Sequence, residues 1–542
     1  MTLSFNQNDS VYLRGNVQVE PLIDSWYAWS HLVPPATAAR NITERHLKIM
    51  DSYMSAPRIH ANAVRDPKML GGPFIDYERD RVEEIKLLSE NTKKKRHQLI
   101  RLSQAVAQLE AMLRGQVTGF GLHTLYAKVP EILQGYVELV YDLNNRASFR
   151  LVEWLLYGSP LYDRSAQSLM LSLVRGDDRP FVFSTPRLEG EGSVEIRVPF
   201  ESQMVDELFR LKTTPQPWGR VVDILGVPPN QTLGSFFTPD RPPKYERYAG
   251  RGIRWRYFGH ACVLVESDAT SILVDPVLSY TYETNVSRYT YEDLPEHIDY
   301  VLITHNHQDH LLFETLLQIR HRVGCFVVPK NSGGSLQDPS MGLILKNIGC
   351  RNVVEVSEFD ELSMGHGNGR IIALPFFGEH ADLDIRSKAA YLVRFGRSSV
   401  LFAADSCNVE PRLYDHIHRE MGDVDILFLG MECEGAPLSW LYGPLATTRI
   451  DRGVDQSRRL NGSNCAQAIQ FVDRFNCKTV YVYAMGLEPW LKFMVSLRYT
   501  DESLPIVESN KLIEHCRERG IWAERLFGEK EILIDHVVES AA

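Results

Sequence analysis

The chain has 542 residues, 44% hydrophobic and 24% charged, which is the balance of a soluble globular protein too long for one ordinary core; two domains are expected. The formal net charge of −10 gives no support to a nucleic-acid partner. No run of about 18 apolar residues occurs, so no membrane span is expected. The start, Met1-Thr2-Leu3-Ser4-Phe5-Asn6, lacks a basic segment followed by an apolar one, and no signal peptide is expected. All eight cysteines lie at Cys262 or later, scattered singly, which reads as reduced cytoplasmic thiols rather than a disulfide framework.

Residues 1–75 are aromatic and contain proline, with Trp26, Trp29, Pro34-Pro35 and Gly71-Gly72-Pro73, and read as a wrapping segment rather than a free-standing domain. A helical stretch follows from about Tyr77 to Gly115. Leu99, Leu102, Val106, Leu109 and Met112 keep steps of three and four there. Its middle, Asn91 to His97, is polar, so the stretch is one long amphipathic helix or a helical pair, packed as a core helix or shared in a dimer. The basic cluster Lys93 to Arg96 reads as a solvated helix face in preference to a docking surface. Val137 to Tyr157 is apolar enough for a buried helix. Phe181-Val182-Phe183 and Val194 to Val198 read as strands, the second by alternation. No catalytic constellation stands before residue 245; His31, His46, His60, His97 and His123 are too dispersed. The paired prolines in Thr238 to Lys244 mark a linker.

From 246 to 542 short apolar runs alternate with helical stretches. Strands are expected over Ile253–Glu266, Ser271–Asp275, Tyr300–Thr304, Cys325–Pro329, Arg370–Pro375, Ala389–Phe395, Ser399–Ala404, Asp425–Gly430 and Thr479–Ala484. Helices are expected over Leu311–Arg322, Cys465–Phe475 and Asn510–Glu518, with Ser463 as a cap for the second. The chemistry gathers at Thr304-His305-Asn306-His307-Gln308-Asp309-His310, directly after the apolar run Asp299 to Ile303. Four ligand-capable side chains in six residues, on the loop leaving a strand, suit metal binding. On extended backbone His305 and His307 share a side. A turn at Gln308 brings Asp309 and His310 to a second position, so one loop supplies halves of two metal sites.

This motif resembles the metallo-β-lactamase superfamily. Gly259 to Val265 and Ile272-Leu273-Val274-Asp275-Pro276 look like that fold's opening hairpin and the Asp that buttresses the metal loop. Leu401 to Ser406 looks like the strand ending in the Asp that bridges two metals, here Asp405. The resemblance covers about residues 250 to 540. It implies an α/β chain with an αββα sandwich over 246–542, preceded by a mixed, helix-rich α+β domain over 1–245 that serves dimerisation or substrate docking.

The third ligand decides the chemistry, and the residues alone leave it open. Arg370–Pro375 leads into Phe376-Phe377-Gly378-Glu379-His380. With His380 the site is nitrogen-rich and reads as a dizinc hydrolase of a phosphodiester, lactone or amide; with Glu379 it gains a carboxylate and suits iron. The whole chain is similar to the diiron oxygenase branch of the superfamily, in particular the β-hydroxylase type of chloramphenicol biosynthesis. The likeness rests on the long N-terminal region, the metal loop, Phe377-Gly378-Glu379-His380, Asp405 and Gly430-Met431-Glu432-Cys433-Glu434-Gly435-Ala436-Pro437. It implies His305, His307 and Glu379 on one iron, Asp309 and His310 on a second, and Asp405 between them. It also implies O2 as co-substrate, an external electron donor, a homodimer, and an amino acid tethered to a nonribosomal peptide synthetase carrier domain, hydroxylated at its β-carbon.

The late histidine that the fold commonly gives its second metal is absent from the expected place. After Asp405 come only His416, His418, His515 and His536. The second metal then keeps an open position or takes His380, Glu432, Glu434 or Glu488. His260, after a glycine in a strand, reads as a satisfied core histidine; Cys407 reads as a buried thiol, and Arg458-Arg459 as a solvated face.

Overall fold

The computed structural model describes residues 5–116, 119–365 and 369–534. Two seven-stranded sheets lie face to face in the C-terminal half. The first runs, by neighbours, Val353–Val356, Val323–Pro329, Ile298–Leu302, Ser271–Val274, Cys262–Glu266, Ile253–Gly259, Lys530–Ile534. The second runs Glu361–Ser363, Arg370–Leu374, Ala390–Phe395, Ser398–Phe402, Ile426–Gly430, Thr479–Tyr483, Trp522–Arg525. Side chains alternate between the faces of each strand, so one strand feeds two cores. Ile253, Trp255 and Tyr257 enter the core between the sheets, with Val263, Tyr391, Phe402 and Phe428. Cys262 and Leu264 point the other way, to the outer core. Leu392, Leu401 and Leu427 leave the second sheet for a third core, under the helices Pro411–Met421, Cys465–Arg474 and Leu504–Glu518. Helix, sheet, sheet, helix is the expected sandwich.

Each sheet carries parallel neighbours whose crossovers return over an outer face. Ser271–Val274 pairs in parallel with Ile298–Leu302, and that strand with Val323–Pro329, the helix Phe313–Ile319 lying between the last two. In the second sheet Ser398–Phe402 pairs in parallel with Ile426–Gly430, and that strand with Thr479–Tyr483. The ends of these strands are where loops converge, and the ligand-capable residues sit there.

The N-terminal half holds a four-stranded antiparallel sheet in the order Trp26–Tyr27, Val17–Ile23, Gln167–Leu173, Ser193–Arg197. Its apolar face is continuous with the outer core of the first large sheet: Val19, Trp26, Leu171 and Phe200 cluster with Phe258, Leu264, Val301 and Phe326. The helical stretch after Tyr77 is a pair, Val82–Lys95 and His97–Gln116, broken at Arg96. Lys93, Lys94 and Lys95 are exposed as expected, but Arg96 is buried. It bonds Asp24 at 2.5 Å and also pairs with Asp163, so the break ties this helix pair to the N-terminal sheet. The second helix is a core helix, burying Leu102, Val106, Leu109 and Leu113. No helix among the described residues is long and apolar enough to cross a membrane.

Several expectations are corrected. Val137–Tyr157 is a hairpin, Val137–Tyr141 with Ala147–Leu151, and then a short helix, Glu153–Tyr157. Val137 and Leu139 face Phe149 and Leu151 at period two, and Asn145 turns the chain with φ +56°. Phe181 to Phe183 is a turn, its backbone held from outside by Val182 N–H donating to Phe493 O at 2.9 Å. Ile253–Glu266 is two strands, broken at Gly259 (φ +108°) and His260 (φ +53°). Asn464, not Ser463, caps the helix Cys465–Arg474, through a reciprocal pair with Gln467. Ser463 Oγ instead donates to Ser406 O and accepts from Asn408 N–H.

Candidate metal centre

Leaving the strand Ile298–Leu302, the chain passes through Thr304, and Asp275, at the end of the neighbouring strand, holds it. Thr304 N–H and Oγ1–H donate to the two Asp275 oxygens at 2.7 and 2.6 Å. Asp275 Oδ2 also lies 2.8 Å from His310 Nδ1, so one carboxylate fully withdrawn from solvent fixes both ends of the loop. The turn closes with His310 N–H and Leu311 N–H on His307 O at 3.1 and 2.8 Å. His310 Nε2 is thereby aimed at Asp405 Oδ2, 3.0 Å away.

Three clusters of ligand atoms result: His305, His307 and Glu379; His305, His310 and Asp405; and His260, Asp309 and His310. They share members, so the residues form one chain of donors with two ends. At the first end His307 Nδ1 is 2.9 Å from Glu379 Oε1, and His305 Nε2 is 4.0 Å from Glu379 Oε2 and 3.8 Å from Asp405 Oδ2. At the other end His260 Nε2 is 3.2 Å from Asp309 Oδ2. All six residues expected from the sequence, His305, His307, Asp309, His310, Glu379 and Asp405, therefore meet in one place.

His380, the neighbour that competes with Glu379 on the sequence, belongs to none of the three clusters. Its Nδ1 lies 3.1 Å from Glu379 Oε2, and its ring packs against His307, the ring centroids 4.6 Å apart. Gly378 and Glu379 take positive φ, +80° and +66°, and this turn presents the carboxylate to the histidines. The strained backbone recurs around the site: Asp275, His260, Ala404 and Ala484 all have positive φ, a conformation that persists in non-glycine residues where the surroundings over-determine it. Gly430 serves by having no side chain, since a Cβ there would lie 2.4 Å from Asp405 Oδ1.

His260 is the residue that sequence reasoning missed. It is not in a strand but at the hairpin tip. It is buried, with Gly486 N–H donating to its Nδ1 at 3.2 Å, and only Nε2 is left to face Asp309. Glu488 braces the tip, accepting Tyr257 O–H at 2.6 Å and His260 N–H at 3.3 Å. The signal was the glycine at the break, which ends the strand on the same side as Asp275. Among the described residues Glu432, Glu434 and Glu488 enter no donor cluster; His536 lies outside the described residues. Glu432 is instead held by Tyr499 O–H and by the backbone N–H groups of Gly435 and Glu434. Arg459 is half-buried, its guanidinium on the carbonyls of Glu434 and Gly435. Cys407 is buried, as expected.

The donor set fits metal ions. His260 Nε2, His305 Nε2, Glu379 Oε2, His380 Nε2 and Asp405 Oδ1 are all buried and make no well-aligned hydrogen bond, and all but His380 Nε2 belong to residues of the three clusters. Buried polar atoms are ordinarily paired, so convergent unpaired lone pairs of this kind are metal donors. Burial, with the neighbouring histidines, holds the His305 imidazole neutral, far below its usual range, as a ligand needs. Burial also raises the Glu379 carboxyl, against the opposing pull of His307. His307 Nε2 is 2.9 Å from the buried Tyr442 hydroxyl, which sets which ring nitrogen carries the proton. The cluster opens on a cavity of about 280 Å3 that is also lined by the apolar Trp440, Leu441, Leu460 and Met485.

Residues 12–241 match a family described as the diiron non-heme β-hydroxylase N-terminal domain, and residues 270–436 match a β-lactamase superfamily domain. The chain is 44% identical to the 4-amino-L-phenylalanyl-[CmlP-peptidyl-carrier-protein] 3-hydroxylase of Streptomyces venezuelae, over 95% of this chain and 98% of that one. The crystal structure of CmlA, a diiron β-hydroxylase from the same organism, superposes with a TM-score of 0.91 at 42% identity, covering 97% of this chain and 100% of that one. A UPF0173 protein of Pyrococcus abyssi is 41% identical over 10% of this chain and 21% of its own. The chain therefore belongs to the diiron non-heme β-hydroxylases, and its C-terminal half has the metallo-β-lactamase fold.

Proposed function

We propose that this chain hydroxylates the β-carbon of an amino acid held as a thioester on a nonribosomal peptide synthetase carrier domain, using two iron ions, O2 and two electrons from an external donor. The observation that carries the reading is Glu379 standing with His305 and His307, its Oε1 2.9 Å from His307 Nδ1. Two imidazoles and one carboxylate are donors that suit non-heme iron, whereas a third histidine would suit zinc. The relative's name places a 4-amino-L-phenylalanyl group on a carrier protein, which supports the same class of substrate here.

In this reading His305, His307 and Glu379 would hold one iron and Asp309 and His310 the other, with His260 and Asp405 as further donors. When loaded, the iron pair supplies O2 activation for oxidation of the substrate C–H bond. The protein's own groups prepare that site. Asp275 and Thr304 fix the His310 ring so that Nε2 faces inward. Tyr442 does the same for His307 through Nε2, leaving Nδ1 toward Glu379. The apolar wall of Trp440, Leu441 and Met485 keeps water from the reacting carbon and receives the substrate side chain.

Residues 246–542 are the catalytic module and 1–245 the docking and self-association module. Phe120, Leu143 and Trp154, which the N-terminal half leaves exposed, support a partner surface there. The test is to measure iron in Glu379→Ala and His380→Ala. Loss of iron with E379A and its retention with H380A is expected. Retention with E379A and loss with H380A would overturn the assignment.

A further inference from the structure

A carrier-bound aminoacyl group brings a cation into the cavity, its α-ammonium, next to the carbon to be hydroxylated. We propose that Glu432 receives that ammonium and so makes the enzyme select aminoacyl over plain acyl thioesters; the inference rests on the function proposed above.

Glu432 lies just past the strand Ile426–Gly430, whose neighbour Ser398–Phe402 leads into Asp405. Gly430 N–H donates to Ala404 O at 2.7 Å, so the two strand ends are locked side by side. Glu432 therefore lines the same cavity as His260, His307, Asp309, Glu379 and Asp405. Three of the four carboxylates in that lining, Asp309, Glu379 and Asp405, belong to the donor clusters, and their charge is committed to metal. Glu432 is the fourth, and no basic side chain among the described residues forms an ion pair with it. Arg459, on the same wall, spends its guanidinium on the carbonyls of Glu434 and Gly435 and on Gln456 Oε1.

The carboxylate is held in one orientation. Oε1 accepts Gly435 N–H at 2.9 Å and Glu434 N–H at 3.3 Å, and Oε2 accepts Tyr499 O–H. A carboxylate has about four acceptor positions, so one remains for a donor in the cavity. A loop brace alone would not need the charge. A glutamine oxygen accepts the same two backbone N–H groups without the cost of burying an anion that has no counter-ion. Burial does raise this cost: it pushes the Glu432 carboxyl up to about 7, and a cation lodged in the cavity would reverse it. The same cavity is also lined by Trp440, Leu441 and Met485, apolar groups that suit the amino acid's side chain.

The experiment uses the iron-loaded full-length protein and a carrier domain loaded with either L-phenylalanyl or 3-phenylpropionyl, which differ only in the amine. Wild type is expected to prefer the phenylalanyl carrier by about ten- to a hundredfold in kcat/KM, the range of one hydrogen bond to a charged group. Glu432→Gln is expected to lose that factor on the phenylalanyl carrier, to change the phenylpropionyl rate less than about threefold, and to keep its iron content. Equal losses on both carriers would show a structural role and overturn the inference. If E432Q does not load iron, the wild type alone decides: a preference below about threefold overturns the inference, since no amine selection would exist to explain. A wild type that binds neither carrier overturns the proposed function itself and this inference with it. A wild type that hydroxylates both alike overturns only the role of Glu432.

Discussion

Asp275→Asn tests how the metal loop is held. The native carboxylate makes three contacts: Thr304 N–H at 2.7 Å, Thr304 Oγ1–H at 2.6 Å and His310 Nδ1 at 2.8 Å. Asparagine keeps the shape but has one acceptor oxygen where aspartate has two. If that oxygen stays with Thr304, the amide N–H2 faces His310 Nδ1 and the ring must place its proton on Nε2, the nitrogen aimed at Asp405. If it takes the Oδ2 place, it keeps His310 Nδ1 and the Thr304 hydroxyl, but the amide N–H2 then faces the Thr304 N–H at a site with no access to water. Either way one charge-assisted bond is lost, about 1.5–3 kcal/mol, and one buried donor is stranded, about 1–3 kcal/mol. The expected destabilisation of the metal-free protein is thus about 2.5–6 kcal/mol, read from urea unfolding followed by tryptophan fluorescence. Iron affinity, read by chelator competition, should fall about ten- to a hundredfold, as for other groups that orient a metal-bound histidine. An unfolding midpoint and an iron affinity equal to those of wild type would refute the role given to Asp275.

Tyr442→Phe removes the partner of His307 Nε2 and should weaken iron binding about tenfold while leaving the fold intact by circular dichroism. Gly430→Ala places a methyl group 2.4 Å from Asp405 Oδ1 and 2.8 Å from Ala404 O, and should cost about 1–3 kcal/mol in the unfolding assay and lower the iron content. Glu153, at the contact with Asn331 and Ser340, is raised to about 7 by burial, against the pull of those hydrogen bonds. A carboxyl whose folded pKa is raised is at its best below the unfolded value of 4.5 and costs stability as pH climbs to about 7. Glu153→Gln should therefore flatten the stability profile across that window, and an unchanged slope would count against it.

The first half of the site was legible because it is local. His305, His307, Asp309 and His310 lie within one loop, and the apolar run before them marks the strand they leave. Asp275 and Asp405 were legible as strand ends carrying an acid. The choice between Glu379 and His380 was not, because it turns on the φ of two residues, Gly378 and Glu379, which composition does not encode. His260 was hidden for a related reason. The run Ile253–Glu266 alternates only as far as Tyr257, with Arg254 and Arg256 between apolar residues; from Phe258 to Val265 every residue is buried, and alternation could not reveal the break at Gly259. The hairpin Val137–Leu151 does alternate, with Glu138, Ser148 and Arg150 exposed between buried Val137, Leu139, Phe149 and Leu151, and that alternation and the Asn144-Asn145 turn argue for strands where overall apolarity argued for a helix. Arg96 looked solvated because its partners, Asp24 and Asp163, are remote in sequence.

The central claim is that this donor set holds a pair of irons. Its most direct test is the metal content and the ultraviolet-visible spectrum of the protein purified after iron-supplemented expression. The account predicts about two irons per chain and charge-transfer absorption from iron(III). About two zincs per chain with a featureless spectrum, persisting under those conditions, would contradict it.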